Sequence, residues 1–399
     1  MIRRCNVRAQ ARPYDWRIRQ RIEGIDGLRA IAVTGVFLFH ESAPGAQLGW
    51  AGVELFYVIS GFLITGGLLR SRGGPNFLRT FYLRRGLRIL PIYWLALLLG
   101  VIVSTARLGA AAVGFVPVYF LYVQNYYPQA SSGFTEGLRV LDHTWTLAIE
   151  EQFYWLWPLA LLVFSGKRLL GLVVVLFVSA PFIRILLLSS TGNPSVVIAT
   201  LPSQADGLAA GAALAIVIDR GVSLAVLRRA GLVAFLLGAG STAALIVRSG
   251  LDAFGLGTPW ATDPVNAFLL SSLAVLFAGI VTMTVTSTGP LARVLSLPPL
   301  RWSGKISYGL YLYAPFAIVA VHVVARILGL DETRGNPVLI AAAHLVVGYF
   351  FAVVSWRYLE APLARLKGRV APEAPSLAVR VHDPVAVRVP VLDTRQVLG

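Results

Sequence analysis

The sequence predicts an all-α integral membrane protein, a bundle of about ten transmembrane helices with one re-entrant or non-crossing segment. Three observations carry that expectation. The 399 residues are 56% hydrophobic and only 14% charged, against about 45–50% and about 25% in ordinary soluble domains, and the mean hydropathy is +0.71. The apolar residues gather into segments close to the roughly 20 residues a helix needs to cross a bilayer. The basic residues fall between those segments in an order that one topology explains. A soluble enzyme with this much apolar surface would aggregate, which excludes that class.

The elements follow in order. Residues 1–24 form a basic segment with Arg3, Arg4, Arg8, Arg12, Arg17, Arg19 and Arg21, which places the N-terminus in the cytoplasm. The apolar run behind it carries Asp26, Arg29 and His40 and lacks a small-residue cleavage site. It therefore reads as a retained first helix, 27–44, rather than a signal peptide. Segment 49–69 returns to the cytoplasm, where Arg70, Arg72, Arg79, Arg84 and Arg85 follow. Segment 89–106 leads out again.

Segment 109–124 is short and contains Pro117. If it crossed, Lys167 and Arg168, Arg228 and Arg229, and Arg365, Lys367 and Arg369 would all lie outside. Read as non-crossing, it puts every one of those clusters inside, as the positive-inside rule requires. The crossings 145–164, 169–188, 204–219, 230–247, 265–285, 307–328 and 337–357 then complete the bundle, with loops 189–203 and 329–336 outside and both termini cytoplasmic. Residues 371–399 are rich in Pro, Val and Arg without helical periodicity, so disorder is expected there. The chain thus divides into the basic segment 1–24, a transmembrane domain 25–363 and a cytoplasmic tail 364–399. No internal repeat and no separate soluble domain is recognisable.

Ionisable residues within apolar segments are costly and mark function by default. Arg29 and His40 are eleven residues apart, about 20° beyond three helical turns, so they share one face about 16 Å apart along the axis. Asp26 joins that stripe. In F-Y-L-R-R-G-L-R-I-L-P, Arg84, Arg85 and Arg88 crowd the cytoplasmic entrance of a helix. They signal topology, and their guanidinium forks also suit the phosphates of a ligand or a lipid headgroup. In D-H-T-W-T-L-A-I-E-E-Q-F-Y-W, residues 142–155, His143, Thr146, Leu147, Glu150 and Tyr154 share a helical face. Glu150 is the inward candidate there, with Glu151 expected to face water or an arginine. Glu54 lies near the outer start of the second helix. Gly52, Gly61, Gly66 and Gly67 read as helix packing, and His322 and His344 as isolated structural histidines.

The single cysteine, Cys5, excludes a disulfide framework and a cysteine-rich zinc site. There is no G-x-S-x-G around Ser60, no H-E-x-x-H and no P-loop, so no metal is expected. The +16 formal charge is not interleaved with aromatics in a soluble domain, which argues against nucleic acid. A histidine and a carboxylate in a membrane bundle with arginines at its mouth remain. They fit acyl transfer to a hydroxyl, and equally a proton-coupled secondary transporter using His40 and Glu150.

Taken in order, the segments I-D-G-L-R-A-I-A-V, G-V-E-L-F-Y-V-I-S-G-F-L-I, F-Y-L-R-R-G-L-R-I-L-P, H-T-W-T-L-A-I-E-E-Q-F-Y, D-G-L-A-A-G-A-A-L-A, I-S-Y-G-L-Y-L and W-R-Y-L-E-A-P resemble the acyltransferase family 3 membrane proteins. That family O-acylates glycans, lipids and macrolide-type natural products, and the likeness covers about residues 22–363. The resemblance implies a cytoplasmic acyl-CoA donor, such as acetyl-CoA, and a sugar, glycan or polyketide hydroxyl as acceptor. It implies Arg29 and His40 as the essential pair, with His40 as general base, and Glu150 as an active-site carboxylate. Arg84, Arg85 and Arg88 would stand near the CoA phosphates. Asp26, Glu54, His143, Trp145 and Tyr154 would support substrate or structure.

Two positions depart from the family pattern. Ala314 stands in Y-L-Y-A-P where relatives often have histidine, and Ala148 where serine is frequent before the glutamates. Many relatives carry a further hydrolase-like domain. Without one, this chain is expected to deliver acyl groups directly or pass them to a partner. Membrane lipids and a small-molecule or glycan acceptor are the expected partners.

Overall fold

A computed structural model describes residues 16–370 apart from 44, 75, 127–137, 251–263, 288 and 331–335. Among the described residues the regular structure is entirely helical. The first half contains α1 (Trp16–His40), α2 (Gly52–Ser71), α3 (Phe77–Leu108), α4 (Ala111–Gly114), α5 (Val116–Phe120), α6 (Trp145–Val163), α7 (Gly166–Thr191) and α8 (Pro194–Ile198). The second half contains α9 (Ala205–Asp219), α10 (Leu224–Ser249), α11 (Leu269–Thr286), α12 (Pro290–Leu295), α13 (Pro298–Lys305), α14 (Ser307–Ile327), α15 (Pro337–Ser355) and α16 (Ala361–Val370).

Seven of these helical stretches are long and apolar enough to cross a membrane: Gly49–Ser71, Phe77–Ala106, Gly166–Thr191, Leu224–Ser249, Pro264–Thr286, Ser307–Ile327 and Pro337–Leu366. That is fewer than the expected ten. The three that fall short are α1, α6 and α9. The first two are interrupted by charge, including Asp26 and Arg29, and Glu150 and Glu151, while α9 has only 15 residues. Large side chains such as Val175, Leu186, Leu237, Leu339 and Phe350 stand exposed along the long helices. Apolar surface on that scale belongs against hydrocarbon rather than water, and the chain is a membrane protein.

Several boundaries differ from the sequence expectation. α1 begins at Trp16, well before residue 27, because no proline falls between Arg17 and Asp26. α3 starts at Phe77, so the arginine run expected in a loop is helical. Segment 109–124 forms the two short helices α4 and α5, and Tyr122 after them adopts a positive φ of 52°. Gln152 of α6 fixes this element, donating to the Tyr122 carbonyl at 2.8 Å and to Asn125 Oδ1 at 2.9 Å. Residues 361–370, mostly assigned to the tail, are helix α16; residues 371–399 and the first 15 lie outside the described residues.

One core joins α2, α6 and α9, with Tyr57, Ile64 and Leu68 packed on Ile149, Phe153, Trp157, Leu208 and Ala212. A second joins α3, α6 and α14 through Ile92, Ala96, Leu147, Leu312 and Phe316. Helix ends are tied across the bundle as well. Arg72, just after α2, donates to the carbonyl of Phe164, just after α6, at 3.1 Å. Between the two cores, the inward faces of α1, α2, α3, α6 and α14 meet at a polar cavity.

Candidate active site

Helical spacing assembles the cavity. Arg85 and Arg88 stand one turn apart on α3, Glu150 and Tyr154 one turn apart on α6, and Tyr57 and Ser60 one turn apart on α2. These six line a cavity of about 100 Å³, together with Arg29 of α1 and Ser307, Tyr308 and Tyr311 of α14. Glu151 lines it too, so both glutamates of the pair face the site.

Glu150 is held on both oxygens. Ser60 Oγ donates to Oε1 at 2.8 Å, and the Tyr154 hydroxyl lies 3.0 Å from Oε2 and 3.2 Å from Ser60 Oγ. The Arg85 guanidinium sits over the Tyr154 ring, 4.8 Å from its centroid, a cation–π contact that leaves its N–H groups free to bind oxygen. Arg29 and Arg85 are both within electrostatic reach of Glu150. Glu360, on a π-helical turn Trp356–Glu360, is within reach of Arg88 and Arg29. The three arginines are therefore a compensated cluster around one cavity, with a carboxylate near each.

His40 is elsewhere. It is the last residue of α1, it is exposed, and it does not line the cavity. Glu150, expected as an active-site carboxylate, makes no contact with it: Glu150 is held by Ser60 and Tyr154, and the groups within electrostatic reach of His40 are Glu41 and His143. The reason is antiparallel geometry. Arg29 lies within electrostatic reach of Glu150 at one level, and from there α1 rises about 16 Å to His40. Running back from Glu150, the chain rises about 10 Å to His143. The two helices thus match Arg29 to Glu150 below and His40 to His143 above. The levels are linked: the Tyr311 hydroxyl donates to the His143 carbonyl at 2.8 Å and lies 2.7 Å from Thr146 Oγ1, and both residues line the cavity.

The remaining predicted residues lie around this frame. Asp26 is within reach of Arg29, Arg88, Arg301 and Lys305, just outside the lining. Arg84 and Trp145 are not in the lining either; Trp145 packs against the core of α2, α6 and α9. Glu54 is 2% exposed, lies against Gly207, and has Asp206 and Arg184 within reach. His344 is not isolated: its Nδ1 is 2.8 Å from Glu41 Oε2, and its ring stacks on His322 at 5.5 Å. That pair ties α14 and α15 to the end of α1.

Two groups were missed from the sequence. Arg184 is 0% exposed and contacts both oxygens of Asp206, at 3.2 and 2.7 Å, together with Ser271 Oγ and the carbonyls of Ala267 and Ser203. Its signal was available, since S-A-P-F-I-R-I-L-L-L places one arginine deep in an apolar helix. Glu360 carried no such signal, because only folding brings it to Arg29 and Arg88. Among the described residues, no cluster of three or more His, Cys, Asp or Glu side chains is arranged to hold a metal.

The family described as "Acyltransferase domain" matches residues 22–357. Over 375 residues the chain is 32% identical to "Peptidoglycan O-acetyltransferase OatA" of Listeria monocytogenes, covering 87% of this chain and 56% of that protein. Over 366 residues it is 30% identical to "Putative peptidoglycan O-acetyltransferase YrhL" of Bacillus subtilis, covering 86% and 55%. "O-acetyltransferase OatA" of Staphylococcus aureus is 27% identical over 371 residues, covering 87% and 58%. The chain thus spans little more than half the length of these relatives. No solved structure matches it. The ordered motifs, the helical bundle around an arginine–glutamate cavity and the family match over residues 22–357 place this chain in the acyltransferase family 3.

Proposed function

We propose that this protein transfers an acyl group from cytoplasmic acyl-CoA to a hydroxyl of a sugar or other envelope or secreted glycan. The observation that carries the reading is the grouping of Arg29, Arg85 and Arg88 with Glu150 around one cavity, beside an unbroken helix that leads from Arg29 to His40. Three guanidinium groups suit the phosphates of CoA. The rise of about 16 Å along α1 is comparable to the extended arm that carries the thioester. Glu150 serves the arginines, which it holds apart and orients, rather than His40.

At the upper level His40 removes the proton of the acceptor hydroxyl. The oxygen attacks the thioester carbonyl, the C–S bond breaks, and the protonated His40 returns the proton to the departing sulfur. His143, within reach of His40 on the facing helix, supports the acceptor. Arg29 lies about 16 Å away by helix rise, so its part is donor binding rather than stabilising charge at the carbonyl. The names of the relatives point to peptidoglycan as one acceptor, with acetyl as the group transferred.

The reading includes a topology of ten crossings. α1 and α6 turn their polar residues to the site, and α9, buried along most of its length, needs no lipid-facing surface. Both termini are cytoplasmic, in a bacterial cytoplasmic membrane. The test is acyl transfer by membrane-inserted His40→Ala and Arg29→Ala proteins. His40→Ala should lose about 10²–10⁴-fold in turnover and still bind acyl-CoA. Arg29→Ala should lose affinity for it. Full turnover by both would overturn the scheme.

A further inference from the structure

The hydroxyls that line the cavity fall into two sets. Ser60 and Tyr154 are engaged with Glu150, and Thr146 and Tyr311 with each other and the His143 carbonyl. Tyr57, Ser307 and Tyr308 line the same cavity, yet their hydroxyl oxygens are buried and have no hydrogen-bond partner in the protein. Tyr57 is 1% exposed and Ser307 0%. A buried hydroxyl left unpaired is unfavourable, and three around one cavity call for an explanation. Tyr57 is within reach of both Glu150 and Tyr311, and Tyr308 of Glu151 and Glu360, so this set runs from beside the arginines to Tyr311. By the measure in which one water needs about 10–15 Å³, a cavity of about 100 Å³ holds several. The three hydroxyls can therefore bond water in the free protein and exchange it for a ligand that offers equivalent bonds.

We propose that Tyr57, Ser307 and Tyr308 form a neutral subsite for the amide- and carbonyl-bearing arm of the acyl donor, distinct from the arginines that take its phosphates. This rests on the acyl-CoA reading above. The chemistry fits the class. A hydroxyl both donates and accepts, and a secondary amide presents both an N–H and a C=O. Neutral hydroxyls have no preference for phosphate beside three guanidinium groups, which take it first.

Binding of two probes to the full chain in lipid nanodiscs separates the parts. Acetyl-CoA contains the arm, and adenosine 3′,5′-bisphosphate contains only the phosphorylated nucleoside end. Tyr57→Phe, Tyr308→Phe and Ser307→Ala should each weaken acetyl-CoA binding about threefold to tenfold, the range of one neutral hydrogen bond. They should leave adenosine 3′,5′-bisphosphate unchanged, while Arg88→Ala weakens both. Thermal unfolding without ligand should be unaltered in the three hydroxyl variants. Unchanged acetyl-CoA affinity in all three, or equal losses for both probes, would overturn the subsite and leave the acyl-CoA reading standing. A wild-type protein that binds neither probe would overturn that reading and the subsite with it.

Discussion

Arg184 and Glu150 show what buried charge does at two positions in one bundle. Arg184 is enclosed by Asp206, Ser271 and two carbonyls and does not line the site cavity, so its role is structural. Arg184→Ala would strand Asp206 beside Glu54 in the interior. It should cost about 3–5 kcal/mol, read as a lower unfolding temperature in detergent. Arg184→Met with Asp206→Leu should recover a large part of that loss, because the pair leaves together. Glu150, by contrast, faces the cavity. Tyr154→Phe removes a hydroxyl from its Oε2 but keeps the ring under Arg85. A hydrogen bond to a charged group is worth about 1.5–3 kcal/mol, so kcat/KM should fall tenfold or more, and Tyr154→Leu should fall further by losing the cation–π contact. Equal activity of the two variants would show that Arg85 does not depend on the ring. At this scale the sequence was informative wherever a charge interrupts an apolar run, as at Arg29 and Glu150. It was silent on the neighbours of Glu360, which stands in W-R-Y-L-E-A-P, and on the partner of His40, because those neighbours come from segments far apart in the chain.

At the scale of elements, α2 and α9 approach each other backbone to backbone. A Cβ on Gly61 would collide with the carbonyl of Leu208, and one on Gly211 with the carbonyl of Val58. Two backbones meet there, so nothing flexible can yield. Gly67, on the same helix, has open space around its Cβ position. Gly61→Ala should therefore destabilise by about 1–3 kcal/mol through overpacking. Gly67→Ala should be neutral or slightly stabilising, since alanine favours helix by about 1 kcal/mol over glycine. Comparison of the two unfolding temperatures checks this, and equal effects would contradict the close packing. The sequence marked these glycines as packing residues without separating Gly61 from Gly67, because the difference depends on which face meets α9. It also passed over α12 and α13, where Pro290, Pro298 and Pro299 break the chain into helices too short for a periodic pattern to register.

For the whole molecule, orientation in the membrane hangs on segment 109–124. The helices that composition fails to identify as spans, α1 and α6 above all, are the ones whose polar faces build the cavity; lining a polar site lowers hydropathy. What the sequence could supply instead was the distribution of charge, which required 109–124 not to cross. The contact of Arg72 with the Phe164 carbonyl supports that reading, because a crossing by 109–124 would put those residues on opposite sides of the bilayer. Cysteine accessibility in intact cells tests it directly, since Cys5 is the single native cysteine. Native Cys5 should react with a membrane-impermeant maleimide only after permeabilisation. In a Cys5→Ser background, Ser190→Cys at the far end of α7 should react in intact cells, and Lys167→Cys at its near end only after permeabilisation. If 109–124 crossed, Lys167→Cys would react from outside and Ser190→Cys would be protected, while Cys5 would behave as before. The N-terminal half would then keep its orientation and everything from α6 onward would invert, which the Arg72–Phe164 contact cannot accommodate.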